Sequence, residues 1–143
     1  MPILKYLVDT NVVSARMSGD EVVVAWLSQH RDQVAISTFT LAEIRRGIEI
    51  RPEGKARRLL ERSFERVFED FQDCIWVFDE AAAFEWGRLM AEAQTRNHPL
   101  PFEDSLIGAI ARSMGAKVVS GDKAGFAGCL RVDPWTGVEY PSW

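Results

Sequence analysis

Asp9, Glu43, Asp104 and Asp122 are the residues of this 143-residue chain whose type and spacing could do chemistry together. Asp9 ends the run Ile3 to Val8, which is broken only by Lys5 and suits a strand buried on both faces. Asp122 follows a similar run, Lys117 to Ser120. Glu43 falls one turn into the helix expected after the short strand Val34-Ala35-Ile36. Asp104 opens a helix in which Leu106 to Ala111 are all apolar or small. In an open α/β sheet, strand ends and the first turns of the following helices share one edge, where ligands bind. Acids gathered there repel one another unless a cation neutralises them. Oxygen donors without a convergent His or Cys set suit Mg2+ or Mn2+ rather than zinc.

Each acid also has a plainer role open to it. Asp9 suits a helix N-cap, and Asp122 suits a turn with Gly121. Thr40-x-x-Glu43 matches a capping box, in which Glu43 bonds back to the Thr40 backbone. Glu103 points about 100° away from Asp104 around the helix and is expected at the rim, with Asp104 inward. His30 and His98 are too isolated to argue for a metal, although His98, in a Pro-flanked loop, could touch substrate.

The elements that must carry these residues alternate strand and helix, the pattern of a parallel α/β sheet. Val12 to Arg16 reads as a short helical turn. Asp20 reads as the cap of a helix bearing Val22, Val23, Trp26 and Leu27. A helix through about Ile50 stops at Pro52-Glu53-Gly54. Lys55 to Phe71 reads as an amphipathic helix with Leu59, Leu60, Phe64, Val67, Phe68 and Phe71 as its apolar stripe. Its charged face is read as solvated, with contact to RNA phosphates the lesser alternative. Ile75 to Phe78 is a third strand. Asp79 caps a helix to about Arg96, with Phe84, Gly87, Met90 and Ala91 expected inward. Gly115 suits the C′ position after the helix from Glu103 to Met114. A short last strand, Leu130 to Val132, precedes Asp133-Pro134-Trp135.

The bulk numbers exclude several classes. Apolar residues make up 47% and charged residues 27%, as in ordinary globular proteins. No apolar run is long enough to cross a bilayer, and the first residues lack the pattern of a secretory signal. Cys74 and Cys129 are isolated, so a reducing cytoplasm is the expected compartment. The net charge of −4 argues against a general nucleic-acid binder with a basic surface. No Gly-rich phosphate loop follows the first strand.

Four segments resemble the motifs of PIN-domain ribonucleases, in order. They are Asp9-Thr10-Asn11, Thr40-Leu41-Ala42-Glu43 running on to Gly47, Pro101 to Ala111 around Asp104, and Val118-Val119-Ser120-Gly121-Asp122. The similarity covers nearly the whole chain, extends to Val132-Asp133-Pro134-Trp135, and is nearest the VapC and FitB type of bacterial toxin. It implies a single PIN-like domain over residues 1–143, with a parallel sheet of four to five strands and helices on both faces. By the resemblance, Asp9, Glu43, Asp104 and Asp122 bind Mg2+ or Mn2+. Thr10 or Asn11, together with Ser120, orient water and acids around them. One departure is Gly125-Phe126, where many relatives carry Asp-Phe.

The resemblance further implies hydrolysis of RNA phosphodiester bonds to 3′-hydroxyl and 5′-phosphate ends. Asp104 or Glu43 accepts the proton. Arg16, Arg45, Arg46, Arg112 and Lys123 are candidates to hold the RNA backbone, or else ordinary surface cations. It implies a small cognate antitoxin, a homodimer within a larger toxin–antitoxin assembly, and DNA contact only through the antitoxin, with no membrane. Two rival readings remain. In one, a haloacid-dehalogenase-like phosphatase uses Asp9 as nucleophile, but Asn11 stands where that chemistry wants a second acid. In the other, the PIN fold serves only as a non-catalytic binding partner.

Overall fold

The structure, a computed structural model, describes residues 5–143. Ile3 and Leu4, the expected start of the first strand, lie outside the described residues. From Lys5 onward the chain runs β1 (Tyr6–Val8), α1 (Thr10–Met17), α2 (Glu21–Gln29), a 3-10 turn (Arg31–Gln33), β2 (Val34–Ser37), α3 (Thr38–Glu49) and α4 (Lys55–Phe71). It continues through β3 (Ile75–Trp76), α5 (Glu80–Thr95), α6 (Phe102–Ser113), β4 (Lys117–Val119), β5 (Arg131–Val132) and β6 (Glu139–Tyr140).

The strands form one sheet in the order β3-β2-β1-β4-β5-β6. The first five are parallel, and β6 pairs antiparallel with β5. The expectation of four to five parallel strands therefore falls short by an edge strand. β6 has two residues, half of them charged, and carries no alternating pattern. Its place is set by pairing after the turn at Gly137, whose φ of 76° suits glycine. Lys117 on β4 also reaches across β5 to Glu139, at 3.0 Å.

Alternation along the strands divides the core into two. Val8, Val34, Ile36 and Val119 face a cluster completed by Val12, Val23, Ile44 and Val67 from α1 to α4. Leu7, Ala35 and Val118 face the other cluster, with Ile107 and Ile110 of α6 and Ala82 of α5. Helices thus cover both faces, as expected for strands that read as continuous apolar runs.

Two helix faces differ from expectation. On α5 the buried residues are Ala82, Leu89 and Ala93, whereas Phe84 is 66% exposed and Gly87 and Ala91 also face outward. Both sets repeat with helical spacing, so periodicity alone does not choose between them. Packing against α6 does. On α4, Val67 and Phe71 are buried with Leu60 and Phe64 behind them, but Leu59 and Phe68 lie half in solvent. Elsewhere α1 is longer than the expected turn, because Asp9 caps it. The Asp20 and Asp79 caps form as expected.

Candidate active site

β1 and β4 lie side by side, Val8 opposite Val119, so the residues that follow them meet. Their neighbours β2 and β5 extend in opposite directions, which makes the crevice between β1 and β4 the switch point of the sheet. Asp9 is 3% exposed. Its Oδ1 accepts from the Thr10 backbone at 2.7 Å, and its Oδ2 accepts from the Ser120 hydroxyl at 2.8 Å. The same Ser120 oxygen accepts from the Asp122 backbone at 2.9 Å. One hydroxyl thus joins the acid after β1 to the turn after β4. Arg131, itself buried, donates to the Ser120 carbonyl at 2.7 Å and stacks on Tyr140, which fixes that strand end from behind.

Glu43 does not form the capping box. Ser37 caps α3, its hydroxyl accepting from the Thr40 backbone at 3.2 Å. Glu43 instead accepts from the Thr10 hydroxyl at 2.7 Å, and Thr10 lies 3.0 Å from the buried Thr40 hydroxyl. Thr10 therefore ties the first acidic segment to the second, while Asn11 is exposed.

Asp104 sits in the first turn of α6, half-buried, with Glu103 outside as expected. Its carboxyl lies close enough to Asp9, Asp122 and Glu43 to feel their charges, and its Oδ2 and that of Asp122 both border the Gly125 Cα. The Gly125 backbone donates to Asp122 Oδ1 at 3.0 Å. A Cβ at Gly125 would overlap Asp104 Oδ2 and stand 2.7 Å from Asp122 Oδ2. All four acids singled out in the sequence therefore lie near one another at the carboxyl edge of the sheet.

Their electrostatics follow. Burial pushes Asp9 up to about 6, with Glu43 and Asp122 adding to the rise and the bonds from Ser120 and Thr10 opposing it. Burial, then the charges of Asp9 and Asp122, push Asp104 up to about 7. Both acids hold protons more tightly in the folded protein than at the unfolded value of 3.8. Stability therefore falls as pH rises from about 4 to about 7. In chelator, the thermal midpoint is expected to be higher at pH 5 than at pH 7.5. A flat or rising profile across that window would contradict this electrostatic account.

Among the described residues, no three or more acid, imidazole or thiol groups are arranged so that they could hold a metal ion as they stand. Asp9, Glu43, Asp104 and Asp122 nevertheless lie near enough to act on one another's charge. Oxygen donors of this kind are the type that Mg2+ or Mn2+ takes, Mg2+ through only one or two carboxylates with several waters retained.

The cations expected near RNA divide into two groups. Arg16 pairs with Asp70 and lies over Phe71; Arg45 pairs with Glu49; Arg112 pairs with Glu85 and Glu92. Arg46 and Lys123 form no ion pair among the described residues. His98 donates through Nε2 to the Ala124 carbonyl at 3.1 Å and so steadies the loop after Asp122. His30 stacks on Trp26. Sequence reasoning placed Thr40 in a capping box and Gly125 as a departure from the family without giving either its role here, and it missed Arg131, whose signal was a charge inside an apolar strand pattern.

Comparison with known proteins agrees with this construction. The chain is 31% identical to the VapC ribonuclease Y4jK of Sinorhizobium fredii over 90% of this chain and 96% of that protein. It is 33% identical to the toxin FitB of Neisseria gonorrhoeae, over 90% and 97% respectively. The solved structure of FitAB bound to an IR36 DNA fragment superposes with a TM-score of 0.83 at 30% identity, covering 91% of this chain and 95% of that one. Residues 6–127, from the start of β1 to just beyond the glycine that cradles Asp104, match the PIN domain, and the chain belongs to that family.

Proposed function

We propose that this protein is a divalent-cation-dependent endoribonuclease and the toxin of a toxin–antitoxin pair. The observation that carries the reading is the gathering of Asp9, Glu43, Asp104 and Asp122 near one another at the switch point of the sheet. A nucleic-acid phosphate cannot approach four carboxylates unaided, and the donor set suits Mg2+ or Mn2+. When bound, such a cation draws charge from a phosphoryl oxygen and acidifies a water. Asp9, held by Ser120 and Thr10, is the fixed ligand. Asp104, whose proton is retained to about neutral pH, is the group suited to accept and return a proton at the attacking water. Glu43, oriented by Thr10, closes the cleft on the α3 side. Of the five candidate cations, Arg46 and Lys123 are the two without an ion pair among the described residues and are free to meet RNA phosphates. The similarity to FitB and to the DNA-bound FitAB structure supports an antitoxin partner; in this reading the antitoxin covers the acids with a basic side chain and carries the DNA contact. The same reading makes the protein cytoplasmic and homodimeric, within a single PIN domain.

The test is cleavage of single-stranded RNA by the purified protein, with the new ends sequenced. Cuts leaving 5′-phosphates are expected with Mg2+ or Mn2+ and none in chelator. Equal cutting in chelator overturns the reading.

A further inference from the structure

Gly47 lies inside α3, where glycine is a poor helix former and destabilises relative to alanine. Neither backbone nor packing calls for it: its φ is not positive, and a Cβ there would meet nothing within 4 Å. What its missing side chain does is leave open a pocket of about 250 Å³ between α1, α3 and the start of α4. Thr10 and Glu43, which belong to the acidic group, line this pocket, and so does Arg51. Ile44 and Ile48 of α3, with Met17 and Leu60, supply apolar surface, and Ser14 and Ser18 add hydroxyls.

We propose that this pocket is the subsite for the base of a nucleotide adjoining the scissile phosphate. The inference rests on the ribonuclease reading. Because Thr10 and Glu43 border both cleft and pocket, a phosphate held at the acids delivers its neighbouring nucleoside here. Sequence-selective RNA binding commonly takes unstacked bases into such pockets, with faces against apolar or planar groups and edges against polar ones. The aliphatic side chains cover the base faces, the serine hydroxyls can bond its edge, and Arg51 suits the next phosphate. A protein partner's side chain could fill the same volume. The shared wall with the reacting groups favours the substrate, which must pass this point whichever partner is present.

The test uses the full chain with Gly47→Phe, whose Cβ meets nothing within 4 Å and whose ring fills the pocket. Its substrates are an RNA oligonucleotide that the wild type cuts and versions of it with an abasic ribose on either side of the cut. For the wild type, KM is expected to rise tenfold or more for one abasic version. Gly47→Phe should show a similar rise on the intact oligonucleotide and no further response to that abasic change. Its thermal midpoint should be no lower than the wild type's, since a glycine inside a helix has been replaced, and its Mn2+ affinity by calorimetry should match. A wild-type KM in Gly47→Phe, or indifference of the wild type to both abasic changes, overturns the subsite and leaves the nuclease reading standing. Loss of partner binding alone, with RNA kinetics intact, assigns the pocket to a protein and also overturns it. A wild type that cuts no RNA overturns the nuclease reading, and the subsite with it.

Discussion

Asp104→Asn is expected to lower RNA cleavage about 100- to 1000-fold, the scale of losing one charge-stabilising group in an active site, while making the protein harder to melt. The two effects share a cause. In the folded chain Asp104 faces three other acids and is partly buried, so ionising it costs stability at neutral pH. An amide removes that cost and can donate to a neighbouring carboxylate such as Asp122. In chelator at pH 7.5 the thermal midpoint should rise by about 2–5 °C, the size expected for a gain near 1 kcal/mol. The same variant should flatten the fall in stability between pH 5 and pH 7.5. Function purchased with instability is common at active sites. Cleavage at the wild-type rate would remove Asp104 from the mechanism. A lower melting point together with lost cleavage would instead mean that the carboxylate holds the fold. Asp9→Asn is a less clean probe. Asp9 accepts two hydrogen bonds in a buried site, and an amide nitrogen placed toward Ser120 would meet a hydroxyl already donating there.

The acids were legible in the sequence because their signal is local. Each ends an apolar strand or opens a helix, and the parallel topology brings such positions to one edge. The limits of α4 were legible for a similar reason: Pro52-Glu53-Gly54 stops one helix, and a 3.6-residue stripe starts the next. What was not legible depends on the partner across space. α5 has apolar residues on two faces, and only the presence of α6 decides that Leu89 goes in and Phe84 stays out. Thr40-x-x-Glu43 has the letters of a capping box, yet Ser37 takes the cap and Thr10 takes Glu43. Arg16, Arg45 and Arg112 are cations like any other until Asp70, Glu49 and Glu85 fold against them. A two-residue edge strand such as β6 has too few side chains to show a period at all.

Gly125 shows how a departure from a family pattern becomes a structural requirement. The resemblance to the family leads one to expect an acid at this place, yet here the position is buried and its backbone amide holds Asp122. A side chain of any kind begins with a Cβ, and that atom would overlap Asp104 Oδ2 and stand 3.0 Å from its Cγ. In Gly125→Ala the Asp104 carboxyl must therefore swing away from Asp122, parting two of the four acids. The displaced atoms are the tip of a side chain beside an open cleft, so the fold should survive with an unchanged circular dichroism spectrum. Cleavage should fall about 100-fold, the scale of a 1 Å misplacement of reacting groups, and Mn2+ should bind more weakly by calorimetry. Gly125→Asp, which restores the acid of the relatives, should do no better, because the obstacle is the Cβ and not the missing charge. If Gly125→Ala binds Mn2+ and cuts RNA as the wild type does, Asp104 and Asp122 do not need their mutual contact, and the cleft tolerates a looser arrangement of its acids. If only Gly125→Asp is active, the position works through charge, as in the relatives, and the steric account fails.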